Sequence, residues 1–81
     1  MKYTFSTHFL ERLEERNISI EDVAALVYGE VDTIIVPSKT DEEIDLRLGF
    51  VRGKGLAVIV NRVTGVLVTV RRMRTNEERL F

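Results

Sequence analysis

The stretch IDLRLGF, residues 44–50, alternates apolar and other residues at every step. Ile44, Leu46, Leu48 and Phe50 fall on one face, with Asp45, Arg47 and Gly49 on the other. A period of two is the mark of a strand with one apolar face. Arg52-Gly53-Lys54-Gly55, just past it, reads as a hairpin turn. Leu56 to Asn61 is a near-continuous apolar run, expected of a central strand covered on both sides. Asn61 to Gly65 turns again, and Val66 to Met73 is the last strand. Strict alternation along it sends Val66, Val68 and Val70 one way and Leu67, Thr69 and Arg71 the other. Upstream, the polar run Ser38 to Glu43 is a loop, and the β-branched run Val31 to Val36 is a strand ending at Pro37.

Two helices precede the strands. Ser6 or Thr7 is suited to cap the first, and Phe9, Leu10 and Leu13 recur at helical spacing. Asn17 tolerates the left-handed backbone that closes a helix. Ser19-Ile20-Glu21-Asp22 resembles a capping box for the second helix. Val23, Leu26 and Val27 form its stripe, and Gly29 ends it. Lys2 to Phe5 is a short extended entry. The predicted architecture is α+β in a single domain over residues 1–81. An N-terminal helix hairpin packs on an antiparallel sheet of about four strands, in the order ααββββ. The opposite sheet face, with Val51, Ala57, Ile59 and Leu67 as candidates to line it, is expected to be open to a partner or a second copy.

Composition narrows the classes. Hydrophobic residues at 44% and charged residues at 31% are an ordinary globular mixture. Cysteine is absent, so no disulfide framework or cysteine zinc site exists, and a cytoplasmic setting is the expectation. No apolar run is long enough for a membrane helix, and MKYTFSTHF lacks the order of a secretory leader. One histidine gives no metal cluster, and Asp41, Glu42, Glu43 and Asp45 lack calcium-loop spacing. No phosphate-binding glycine motif is present, so no cofactor or metal is expected. Residues 1–43 hold four basic and ten acidic side chains, and residues 44–74 hold seven basic and one acidic. Such asymmetry means either a basic face for an anionic partner or charges that pair across the fold.

His8 is the one side chain with an ordinary pKa near neutrality. His8 and Arg12 stand one turn apart on a helix flank, and Arg16 follows a turn later. An imidazole beside guanidinium groups suits RNA cleavage, moving a proton while cations hold the phosphate charge. The competing reading is a histidine at a helix start, with Arg12 paired to Glu11 or Glu15. Arg71, with Thr69 beside it and Arg47 on a neighbouring strand, is a candidate phosphate-binding group. Alternatively, Arg71, Arg72 and Arg74, with Arg72 on the opposite face from Arg71, are a basic strand end that keeps a sheet edge in solution. Arg52 and Lys54 in the turn are a weaker candidate clamp.

The pattern Ser6-x-His8, Arg12, Glu15-Arg16-x-Ile18-Ser19 and Val23, followed by strands ending in Val68-Thr69-Val70, resembles domain-of-unknown-function family 4258. The resemblance runs from about residue 3 to residue 72. That family consists of small bacterial and phage domains with no settled activity. Its layout is similar to small ribonuclease toxins of the RelE and barnase-like group. The resemblance implies a metal-independent ribonuclease or an RNA-binding relative, with RNA or an antitoxin-like protein as partner. His8, Arg12 and Arg16 match the family's recurring polar positions. Arg71 joins them on charge and location alone. Asn17 stands where the family often has Gly, and Phe9 where a small residue is common. The alternative is a non-catalytic interaction module that dimerises or binds protein through the open sheet face. The sequence pI of about 5.8 leans toward it.

Overall fold

Ser6 starts the first helix by accepting from the Phe9 N–H at 3.1 Å, which satisfies one free donor of the first turn. In the computed structural model, which describes residues 2–81, helix α1 runs Thr7–Glu15. Asn17, at φ 53°, closes it in the left-handed region. Ser19 then caps α2 (Ile20–Val27) through the Asp22 N–H at 3.3 Å, and Gly29 ends that helix at φ 76°. The helix hairpin of the sequence reading is present, with its caps where the side-chain chemistry put them.

Strands β2 (Thr33–Pro37), β3 (Ile44–Val51), β4 (Lys54–Asn61) and β5 (Val66–Arg72) follow as an antiparallel series. The β3–β4 turn has just two central residues, Arg52 and Gly53, at φ 51° and 77°. Two successive positive φ angles twist a hairpin in the direction its strands require. The sheet differs from the expected antiparallel four in one respect. Thr4–Phe5, expected only as an extended entry, is a fifth strand, β1, and pairs in parallel with β5. The sheet is therefore mixed, in the order β1-β5-β4-β3-β2. A short helix α3 (Thr75–Glu78), absent from the sequence reading, closes the chain.

Both helices cover one face. Phe9 and Leu13 of α1 and Val23 and Leu26 of α2 are buried there with Leu56, Val58, Val60, Leu67 and Val70. Leu26 of α2 packs against the bare backbone of Gly49 in β3. A Cβ on it would lie 2.4 Å from Leu26 Cδ1, so only glycine admits the leucine. The far face has a smaller core, in which Leu48, Ala57 and Met73 are buried beside Ile34 and Leu46. The alternation along Ile44–Phe50 is present in β3, and its apolar side faces away from the helices.

Two expected placements on the open face are overturned. Val51 and Leu67 belong to the helix-covered core, not to the far face. Val51 precedes the tight turn and keeps the parity of Gly49, opposite to Leu48. Leu67 is moved by a register shift at Ile59/Val60, which sets Val60 against Leu67 and Val58 against Val70. An extra residue in one strand flips every side chain beyond it. Ala57 lies on the far face with Leu48, and Ile59 shares its parity.

Candidate functional site

The proposed site residues come from three places: the α1 flank, the middle of β3 and the end of β5. His8 is exposed in the first turn of α1. Arg12, one turn on, holds Glu15 at 2.6 Å, so it is half neutralised within its own helix. Arg16, at the helix end, donates from Nη1 to the Val70 carbonyl of β5. That bond ties the polar row of α1 to the strand beneath it. From His8 to Arg16 the row spans about 12 Å of helix axis.

The strand residues separate. Val70 is buried under the helices, so its neighbours Thr69 and Arg71 point to the far face, where they pair with Ile59 and Ala57. Arg71 donates two parallel bonds of 2.7 Å to the Glu77 carboxylate. This holds the Glu77 carboxyl down at about 2, with the Arg71 hydrogen bonds as the main cause, opposed by burial. Glu77 in return keeps the Arg71 guanidinium more firmly protonated. Arg71 is thus a clamp for α3, on the opposite side of the sheet from His8.

Arg47 points the other way. It pairs with Val58 across the ladder and lies on the helix side. Its Nη1 donates to the Tyr3 hydroxyl, and the guanidinium stands 5.2 Å from the Tyr3 ring centre. Tyr3 packs edge-on against Tyr28, with ring centres 5.2 Å apart. Arg47 Nε is buried without a hydrogen-bond partner. The expected phosphate-binding row of Arg47, Thr69 and Arg71 therefore does not assemble, because the sheet lies between its members.

The turn residues are engaged as well. Buried Asp22 receives Arg52, and Lys54 Nζ lies 3.8 Å from its other oxygen. These two cations are bound to α2 rather than free for phosphate. Here the acidic first half and the basic second half do pair across the fold. Asp22 was readable only as a capping residue, since nothing local shows that a turn thirty residues away reaches it.

The cations left without a carboxylate partner include Arg16, Arg72 and Arg74. Arg72 pairs with the core residue Leu56, so it points to the helix side, two residues beyond the carbonyl that Arg16 holds. Arg72 faces away from Arg71, on the same side of the sheet as α1 and Arg16. The described residues form no concave pocket and no cluster of metal ligands. Among them, no helix is long and apolar enough to cross a membrane. No family model, curated protein or solved structure matches the chain.

Proposed function

We propose that this chain is an RNA-binding domain with the layout of the small RelE-like ribonuclease toxins. Its RNA contact is the α1 row of His8, Arg12 and Arg16, extended by Arg72. The single observation that supports this reading most is the Arg16 bond to the Val70 carbonyl. It holds one guanidinium over β5 and makes the helix flank continuous with Arg72. Arg16 and Arg72 are its exposed cations without a carboxylate partner, and such cations track a phosphate backbone. The resemblance to domain-of-unknown-function family 4258 points to the same flank.

Where the domain cleaves, His8 exchanges a proton with the 2′-hydroxyl or with the departing 5′-oxygen, and the 2′-oxygen attacks the adjacent phosphorus. Arg12 and Arg16 hold the charge that grows on the phosphoryl oxygens. Arg47 and Arg71 have no part in this scheme. The test is binding and cleavage of single-stranded RNA in the presence of a chelator. Arg16→Ala and Arg72→Ala should each weaken binding and lower the salt slope by about one. His8→Ala should remove cleavage and leave binding in place. Absence of RNA binding at low salt sinks the proposal.

A second reading, a protein-interaction module without catalysis, has its own support. Five of the basic side chains are already bound to carboxylates, and Ile34, Leu46 and Ile59 are only part-buried on the far face. Association with a protein partner that is insensitive to salt, with no RNA binding, would favour it.

A further inference from the structure

Strand β2 is the free edge of the sheet opposite β1, and it carries TIIVP without a charge. Ile35 is 53% exposed and Val36 37%. Natural edges are blunted by charge, proline, a bulge or shortness; β2 has no charge and no bulge within it, and its one proline stands at its end. Its backbone phase is set by Ser38, whose N–H donates to the Ile44 carbonyl of β3. In an antiparallel ladder this direction alternates. Ser38, Val36 and Ile34 thus turn their backbone groups to β3, while Thr33, Ile35 and Pro37 turn theirs outward. Pro37 has no N–H to leave unpaired there, as a proline on an edge strand should.

We propose that β2 is a self-association edge, pairing antiparallel with β2 of a second copy about a two-fold axis at Ile35. In that register Ile35 meets its own counterpart and exchanges two N–H to carbonyl bonds with it. Thr33 N–H of each copy donates to the Pro37 carbonyl of the other, which adds two more. Ile34 of each copy stands beside Val36 of the other on the far face. The pairing thus sets apolar side chains against apolar ones and leaves no charge buried.

Flanking charge selects the antiparallel sense and a second copy as the occupant. Asp32 precedes the strand and Lys39 follows it. Antiparallel pairing brings Asp32 of each copy opposite Ser38 of the other, with Lys39 the next residue along. A parallel arrangement would set Asp32 near Asp32 and Lys39 near Lys39. A closed two-fold contact uses the same patch on both subunits, and this patch is complementary to itself. The pairing runs along the β2 edge and leaves the α1 row free, so the proposal is independent of RNA binding.

The experiment is sedimentation equilibrium from micromolar to millimolar protein, with amide hydrogen exchange at both ends of that range. A monomer–dimer equilibrium is expected. The Thr33 and Ile35 amides should gain protection at high concentration, with the rest of β2 unchanged. Ile35→Pro removes an outward N–H that β3 does not use, and should raise the dissociation constant at least about tenfold. Val36→Lys, which places like charges beside the two-fold, should do the same. Circular dichroism on each variant separates lost pairing from lost fold. A monomer throughout, or a dimer that both folded variants leave intact, overturns the proposal. So does a dimer whose Thr33 and Ile35 amides exchange as fast as in the monomer.

Discussion

Arg71 holds Glu77 by two parallel hydrogen bonds, Nη1 to Oε1 and Nη2 to Oε2, each 2.7 Å long. The same Glu77 Oε1 accepts the Arg74 N–H at 2.8 Å, so one carboxylate joins β5 to the first turn of α3. Phe81 completes the cover over the far face, edge-on to Phe50 with ring centres 5.2 Å apart. The last turn stays folded back because a charged fork and an aromatic contact act at its two ends.

Glu77 makes stability depend on acidity. Its carboxyl is lowered from 4.5 to about 2 in the folded chain. A depressed carboxyl stabilises the fold fully above its unfolded value and ceases to do so as pH falls through the folded one. Glu77→Gln should therefore lower stability by about 1–2 kcal/mol at neutral pH, allowing for solvent screening. The gap between wild type and variant should close between pH 4.5 and about pH 2, as read by urea unfolding at a series of pH values. A gap that stays constant across that window would show that the fork contributes nothing.

Asp22 and Arg52 test the join between α2 and the β3–β4 turn. Asp22 is 2% exposed, so removing its partners leaves a buried charge, and removing it leaves the turn cations idle. Asp22→Ala should cost about 1–3 kcal/mol. At Arg52 the backbone adds a second effect, because φ is 51°. Arg52→Gly loses the ion pair but fits that conformation, whereas Arg52→Ala loses the pair and keeps the strain. The glycine variant should be the more stable of the two by about 1 kcal/mol. Equal stabilities would refute the backbone part of this account.

Gly65 is the hinge on which β1 is seated. It sits at φ 78°, and a Cβ there would lie 2.5 Å from the Lys2 carbonyl oxygen. Its own carbonyl accepts the Thr4 N–H at 2.9 Å. Gly65→Ala should destabilise the chain by about 1–3 kcal/mol, since it adds strain and pushes Lys2 away. Hydrogen exchange should place the loss at the Thr4 amide first, with β3 and β4 still protected.

His8 provides a clean separation of chemistry from folding. It is exposed and lies outside both cores, so His8→Ala should change stability by no more than about 0.5 kcal/mol. A thermal melt checks this before any activity is assayed. A large loss of stability would mean that His8 packs or caps rather than reacts.

What was legible in the chain is what local chemistry dictates. The caps at Ser6 and Ser19, the stops at Asn17 and Gly29, and the turn at Arg52-Gly53 each act within a few residues. The elements hidden from that reading depend on distance. Thr4–Phe5 has no periodicity to show, and it becomes a strand only because Val66 and Leu67 lie beside it. Leu67 was assigned to the wrong face because the shift at Ile59/Val60 leaves no mark in two runs rich in β-branched residues. The row of Arg47, Thr69 and Arg71 fails to assemble for a related reason. Alternation within β5 put Thr69 and Arg71 together correctly, but it carries no information on the phase of β3. That phase comes from the Val51–Lys54 closure, which turns Arg47 to the opposite face.

The parallel β1–β5 pair also orders events in time. Each antiparallel pairing joins strands that are neighbours in sequence, and can zip from its own connection. Thr4, by contrast, meets Val66 across most of the chain. Contacts of such long separation form late, since the loop entropy must be met before they return anything. Helix α1 shares that delay, because Phe9 and Leu13 are buried against side chains of β5. On a ribosome, α1 emerges well before β5 and is therefore among the last of these elements to find its floor. Until β5 follows, its apolar stripe is exposed to chaperones and proteases.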